Sequence, residues 1–152
     1  MASMDQKEPE QPRRIRGCTA MRLRKAARRV SQIYDRHLEA TGLTITQFGV
    51  LASLVSAGRV AIGGLAELLC MDPTTLTRNL QPLHRQGLVV IEPDRRDRRV
   101  RWVSLSDVGR EAVERARPAW REAQHHVRKL IGEDETAALH DNLDYVLERI
   151  AE

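Results

Sequence analysis

Six side chains in one short stretch carry the clearest chemistry of this chain: Thr74, Thr75, Thr77, Arg78, Gln81 and Arg85. Arginine can pair with guanine O6 and N7, glutamine can reach adenine, and threonine offers a hydroxyl to phosphate and a surface for a thymine methyl. Arg78 and Gln81 have the reach for base edges, whereas Arg85 fits a phosphate. Further on, the run EPDRRDRR gathers Arg95, Arg96, Arg98 and Arg99. Guanidiniums crowded into so short a loop repel one another without structural benefit, but a narrow minor groove has a negative potential that rewards them. Asp97, in their midst, is expected to hold the turn by accepting backbone N–H groups or by pairing with Arg99.

The surrounding residues are those needed to present these groups. Asp72-Pro73 reads as a helix N-cap followed by a proline whose missing N–H costs nothing. From there Leu76, Leu80 and Leu83 form a narrow buried stripe, which leaves Thr74, Arg78, Gln81 and Arg85 on the opposite face. Thr75 and Thr77 lie on its shoulders and Asn79 nearer the core. Pro82 frees the carbonyl of Arg78 and is expected to kink the last turn before Gly87. Residues 62–69 read as a shorter helix with Ile62, Leu65, Leu68 and Leu69 inward and Cys70 packed in the turn that follows. A supporting helix, a turn and an exposed second helix form a helix-turn-helix. Leu88–Ile91 and Val100–Leu105 read as two strands of a hairpin tipped by the arginines, a wing.

The flanks are helical. A first helix over Cys18–Ala40 carries Leu23, Ala26, Ala27, Val30, Ile33, Tyr34, His37 and Leu38 on one stripe, and Arg22, Arg24, Lys25, Arg28 and Arg29 opposite, with Gly42 as the stop. A second starts at Thr44 and runs through Gln47, Val50, Leu51, Leu54 and Val55. Ser106 caps a fifth, reaching Ile131 through Val108, Ala112, Ala116, Ala119, Trp120, Ala123, Val127 and Leu130, with a bend expected at Pro118. Gly132 breaks the chain, and Glu133-Asp134-Glu135 opens a sixth through Leu139, Leu143, Val146, Leu147 and Ile150. These outer helices hold more apolar stripe than so small a domain needs internally. A two-fold pair would bury the excess and set two recognition helices about 34 Å apart, one turn of DNA. The expected organisation is a loosely ordered tail over 1–14, a dimerisation helix over 15–42, a winged helix-turn-helix over 43–106 and dimerisation helices over 107–152. The fold class is thus mainly α with a small β-wing, in an intertwined homodimer.

Composition narrows the function. The chain has 152 residues and a formal charge of +4, which suits a polyanionic partner. Only 3% of it is aromatic, too little for a single-strand binder that stacks bases on rings. Its two cysteines, Cys18 and Cys70, form no CxxC pair, so neither a zinc site nor a disulfide framework is expected. No apolar run has the length of a membrane span and the N-terminus lacks the apolar core of a secretory signal, so a cytoplasmic location is expected. The histidines lack metal-ligand spacing, and no nucleophile–base–orienter set can be assembled. No metal, cofactor or enzymatic activity is expected.

Taken together, LAELL, DPTTLTRNLQPLHRQGLV, Asp97-x-Arg99 in the wing and VSLS followed by Gly109 resemble the MarR family of winged-helix regulators. The resemblance runs from about Cys18 to the C-terminus. It implies a homodimeric repressor on a palindromic operator, with Arg78 and its neighbours in the major groove and the wing arginines in the minor groove. It further implies release by a small effector, often an aromatic carboxylate or its thioester, bound between the first, second and fifth helices. Arg28, Tyr34, His37 and Trp120 are the candidate liners. Organic-hydroperoxide sensors in that family hold a first-helix cysteine between tyrosines, so a redox-sensing repressor using Cys18 and Tyr34 is an alternative. Against it, Cys18 lies about two residues early and Ile45 takes the place of the second tyrosine. A nonspecific architectural DNA-binding protein is the alternative from another class.

Overall fold

The architecture follows from where short-range signals stop each helix. In the computed structural model, which describes residues 17–151, the order is α1 (Thr19–Leu38), α2 (Ile45–Ala57), β1 (Val60–Ala61), α3 (Ile62–Leu68), α4 (Pro73–Arg85), β2 (Val89–Pro93), β3 (Arg101–Leu105), α5 (Asp107–Ile131) and α6 (Glu133–Ile150). The expected tail over 1–14 lies outside the described residues. After α1 a 3-10 turn leads to Gly42, which ends it in the left-handed conformation at φ 73°. Thr44 accepts the Gln47 N–H while the Gln47 side chain accepts the Thr44 N–H, a reciprocal capping box that starts α2. Pro82 does not end α4, nor Pro118 α5.

The three strands form one antiparallel sheet in the order β1-β3-β2. Val103 sits at its centre, opposite Val60 on one side and Ile91 on the other, and is fully buried. Strand β1 is the element not anticipated from sequence, because two residues show no alternation to read. Leucines from every helix of the winged body meet behind this sheet: Leu38, Leu51, Leu54, Leu65, Leu76, Leu80 and Leu83, joined by Val113 of α5. A smaller cluster of Tyr34, Ala123 and Val127 locks α1 against α5. Helix α6 packs principally on α5. Among the described residues no single helix is long and apolar enough to cross a membrane.

Two inward assignments need correction. Leu68 is 61% exposed. At about 3.6 residues per turn, Ile62, Leu65 and Leu69 share one line, and Leu68 falls roughly a quarter-turn off it. Cys70 is exposed rather than packed, and at φ 50° is the one non-glycine residue with positive φ among those described. The N–H groups of Cys70 and Met71 bond back to the carbonyls of Glu67 and Ala66, and that reversal turns the thiol outward while Leu69 and Met71 fill the core.

Candidate nucleic-acid interface

Helix α4 begins at Asp72, whose carboxylate accepts the Thr75 hydroxyl and, at 2.9 Å, the Thr75 backbone N–H. These bonds hold its carboxyl below the ordinary aspartate value. Leu76, Leu80 and Leu83 are fully buried, so Thr74, Arg78, Gln81 and Arg85 are turned to solvent, with Thr75 and Thr77 also exposed. The Thr77 hydroxyl donates to the Pro73 carbonyl at 2.7 Å and the Asn79 amide to that of Thr75 at 2.9 Å. Both bonds run along the helix, leaving the side chains of Arg78, Gln81 and Arg85 with no hydrogen bond to other described residues.

The wing is organised by a residue that sequence reasoning passed over. One carboxylate oxygen of Asp94 accepts the N–H groups of Arg96 at 2.8 Å and Asp97 at 3.0 Å; the other accepts Trp102 Nε1 at 2.9 Å. The Asp97 and Arg96 N–H groups and the indole N–H hold the Asp94 carboxyl down to about 2. Spacing could have revealed this, since an aspartate bonding N–H groups two and three residues ahead is an ordinary turn device. Asp97 accepts the Arg99 N–H at 3.0 Å, and Arg99 Nε lies 3.5 Å from the same carboxylate in an exposed pair worth little. With the tip closed by Asp94 N–H to Val100 O and Val100 N–H to Asp97 O, the side chains of Arg95, Arg96, Arg98 and Arg99 are exposed. Arg59, before β1, lies over the Trp102 ring at 4.4 Å. No local signal could have joined residues so far apart in sequence.

Helix and wing face one another. His84 Nδ1 lies 3.1 Å from the Val89 carbonyl, tying the end of α4 to β2. Between them is a cleft of about 430 Å³, lined by Thr77, Gln81 and Arg85 of α4, Ile62 of α3, and Ile91 and Arg101 of the hairpin.

The candidate effector residues are less gathered. Tyr34 is buried between α1 and α5, and burial pushes its phenol up, with Arg128 opposing. His37 Nε2 meets His126 Nδ1 at 3.0 Å, and Trp120 stacks on Phe48 with ring centres 5.9 Å apart. Arg28 is exposed on α1. Trp120 lines a cleft of about 210 Å³ between α2 and α5 whose other walls include Phe48, Ala52, Val55, Val113 and Arg117. Arg28, Tyr34 and His37 are not among its lining residues. Half-buried Cys18 precedes α1, about 24 Å along that helix from Tyr34, so the structure does not bring these two together within one chain. Among the described residues, no three metal-ligating side chains converge.

Comparison with known proteins places this geometry. The model of the MarR family matches residues 41–100. The transcriptional activatory protein BadR of Rhodopseudomonas palustris is 35% identical over 96 residues, 61% of this chain, so the match spans 55% of that relative's length. The transcriptional regulator MosR of M. tuberculosis, solved in complex with DNA, is 34% identical with a TM-score of 0.69, covering 85% of this chain and 98% of that one. A mutant MarR of E. coli complexed with operator DNA is 26% identical with a TM-score of 0.75, covering 84% and 92%. With the family model matched across the helix-turn-helix and wing, and a 34%-identical regulator matched over nearly its whole length, this chain belongs to the MarR family.

Proposed function

We propose that the chain is a homodimeric, sequence-specific DNA-binding transcription regulator, a repressor seated on a palindromic operator and released by a small aromatic acid or its thioester. The observation that carries this reading is the shared cleft, in which the exposed face of α4 and the inner side of the wing present Gln81, Arg85 and Arg101 toward one space. Thr74, Thr75, Thr77, Arg78, Gln81 and Arg85 enter the major groove; Arg95, Arg96, Arg98 and Arg99 enter the adjacent minor groove. MosR and MarR are each solved in complex with DNA, which supports duplex DNA as the partner. BadR is named as an activator, so the sign of regulation depends on where the dimer sits relative to the promoter; occlusion of the promoter gives repression.

The exposed apolar side chains at the outer ends support dimerisation. Leu130, Tyr145, Leu147 and Ile150 are each more than half exposed, and Met21 and Leu23 on α1 and Leu139 on α6 are exposed as well. For the effector, the support is the small cleft between α2 and α5, which has aromatic walls and one cation. Arg117 Nε is buried there without a hydrogen-bond partner among the described residues. A ring laid against the stacked Phe48–Trp120 pair, with its carboxylate on the Arg117 Nε, would satisfy that donor, while Arg117 Nη2 stays on Glu114 at 2.7 Å. Such a ligand acts only through unequal affinity for the operator-spaced and the released arrangement of the two recognition helices.

The test is titration of the purified chain with a duplex selected by it from a random pool and with a scrambled duplex. The selected duplex is expected to be palindromic and bound at least about 10³-fold more tightly. Arg78→Ala is expected to cost roughly 1–3 kcal/mol on the selected duplex and to relax specificity at one position of each half-site. Equal affinity for both duplexes means an architectural coater instead; Arg78→Ala without effect removes α4 from the interface.

A further inference from the structure

Arg59 is absent from the base-reading and wing sets above, yet its placement is unusual for a surface arginine. Its guanidinium lies 4.4 Å from the centre of the Trp102 ring. That indole is in turn fixed by its N–H bond to Asp94 at 2.9 Å, and Asp94 is fixed by the turn. An arginine stacked on a ring loses rotameric freedom but keeps its N–H donors, which lie in the guanidinium plane and remain free for an anion. Arg59 is itself exposed.

The side of the wing matters. Successive residues of a strand face opposite ways. Val103 points into the core, so Trp102 and its cross-strand neighbour Glu92 share the outer face, away from the cleft that Arg101 lines beside α4. On that outer face Arg59, Arg95 and Arg96 surround a hollow of about 640 Å³ together with Glu92, Pro93 and Asp94. Three cations there outweigh two carboxylates, and one of those, Asp94, already accepts three N–H bonds. A minor groove about 6 Å wide is walled by two phosphate backbones. A hairpin inserted into it therefore meets one strand on the side facing α4 and the other on its outer face.

Building on the DNA-binding reading, we propose that Arg59 is a further backbone contact, bonding a phosphate of the strand on the outer side of the wing, and that Trp102 is the positioning residue that holds it there. The contact is indifferent to sequence. It gives the wing a grip on both walls of the groove, one through Arg101 and the tip and the other through Arg59.

The experiment measures affinity of the full chain for its selected duplex and for scrambled DNA of about 30 base pairs over a salt series. Wild type, Arg59→Ala, Arg59→Gln, Trp102→Leu, Trp102→Phe and the Arg59→Ala/Trp102→Leu double variant are compared. Loss of Arg59 is expected to weaken both duplexes by a similar factor, about 5- to 20-fold, and to reduce the slope of log affinity against log salt by about 1. Trp102→Leu is expected to reproduce part of that loss, Trp102→Phe much less, and the double variant to be no weaker than Arg59→Ala alone. An unchanged salt slope in both Arg59 variants, or losses that add in the double variant, overturns the proposal while leaving DNA binding in place. A wild-type chain that binds neither duplex overturns the DNA-binding reading itself.

Discussion

Asp94 shows how much a single carboxylate can organise. Its three N–H partners come from two residues of the turn and from a strand beyond it, so tip shape and strand register depend on one charge. Because these donors favour the ionised form, the carboxyl is held at about 2 against an ordinary 3.8. A group depressed on folding contributes stability that is complete above its unfolded value and is lost as pH falls through the folded one. The Asp94 contribution is therefore expected to be intact above about pH 4 and to disappear between there and pH 2. The Trp102 indole N–H resonance should titrate with a midpoint near the bottom of that window, and Asp94→Asn should make the acid limb of the stability curve shallower. Asp72 at the start of α4 moves in the same direction for the same kind of reason.

At the scale of elements, what could be read in advance was what is local. Asp72-Pro73, Thr44 and Ser106 announced three helix starts because a cap and the backbone N–H that donates to it lie within one turn of each other. The arginine tip was visible as composition, and the α4 face as spacing. Arg59, β1 and the left-handed Cys70 were not legible, because each is decided by residues remote in sequence or by where a short helix must stop; the outward Leu68 was legible in its helical offset and was misassigned. The junction of α5 with the wing is a further case. Ser106 Oγ accepts the Gly109 N–H at 2.9 Å and donates to the Gly87 carbonyl at 2.6 Å, bringing the first turn of α5 onto the base of β2. A Cβ on Gly109 would lie 2.0 Å from the Leu88 carbonyl oxygen, contact with rigid backbone rather than with a side chain that could swing away. Gly109→Ala is expected to destabilise the fold by roughly 1–3 kcal/mol through that overlap. Chemical denaturation checks this, with Ser106→Ala, expected to cost about 1 kcal/mol as a lost cap, for comparison.

The molecule as a whole is unequally finished. Its winged body has a continuous leucine core, whereas the outer helices display apolar side chains that a lone chain leaves in water. In the proposed dimer those side chains are what the two copies share. Sedimentation at micromolar concentration is expected to give twice the chain mass, and Leu147→Glu with Ile150→Glu to give single chains that retain most of their helical signal. Those single chains should bind the palindrome at least about 10²-fold more weakly, since linkage of the two half-sites is lost. A wild-type chain sedimenting singly would remove the dimer from the proposal.

Gly109 also decides what kind of machine the assembly can be. Helix α5 runs unbroken for 25 residues, about 37 Å, from the foot of the wing to its seat beside α6. With no slack where its first turn presses on Leu88, the helix and the hairpin move as one crank. A tilt of only about 5° at the far end would swing the arginine tip by about 3 Å, half the width of the minor groove proposed for it. A molecule no larger than benzoate, wedged midway along that shaft, would need no relay of side chains to unseat the grip.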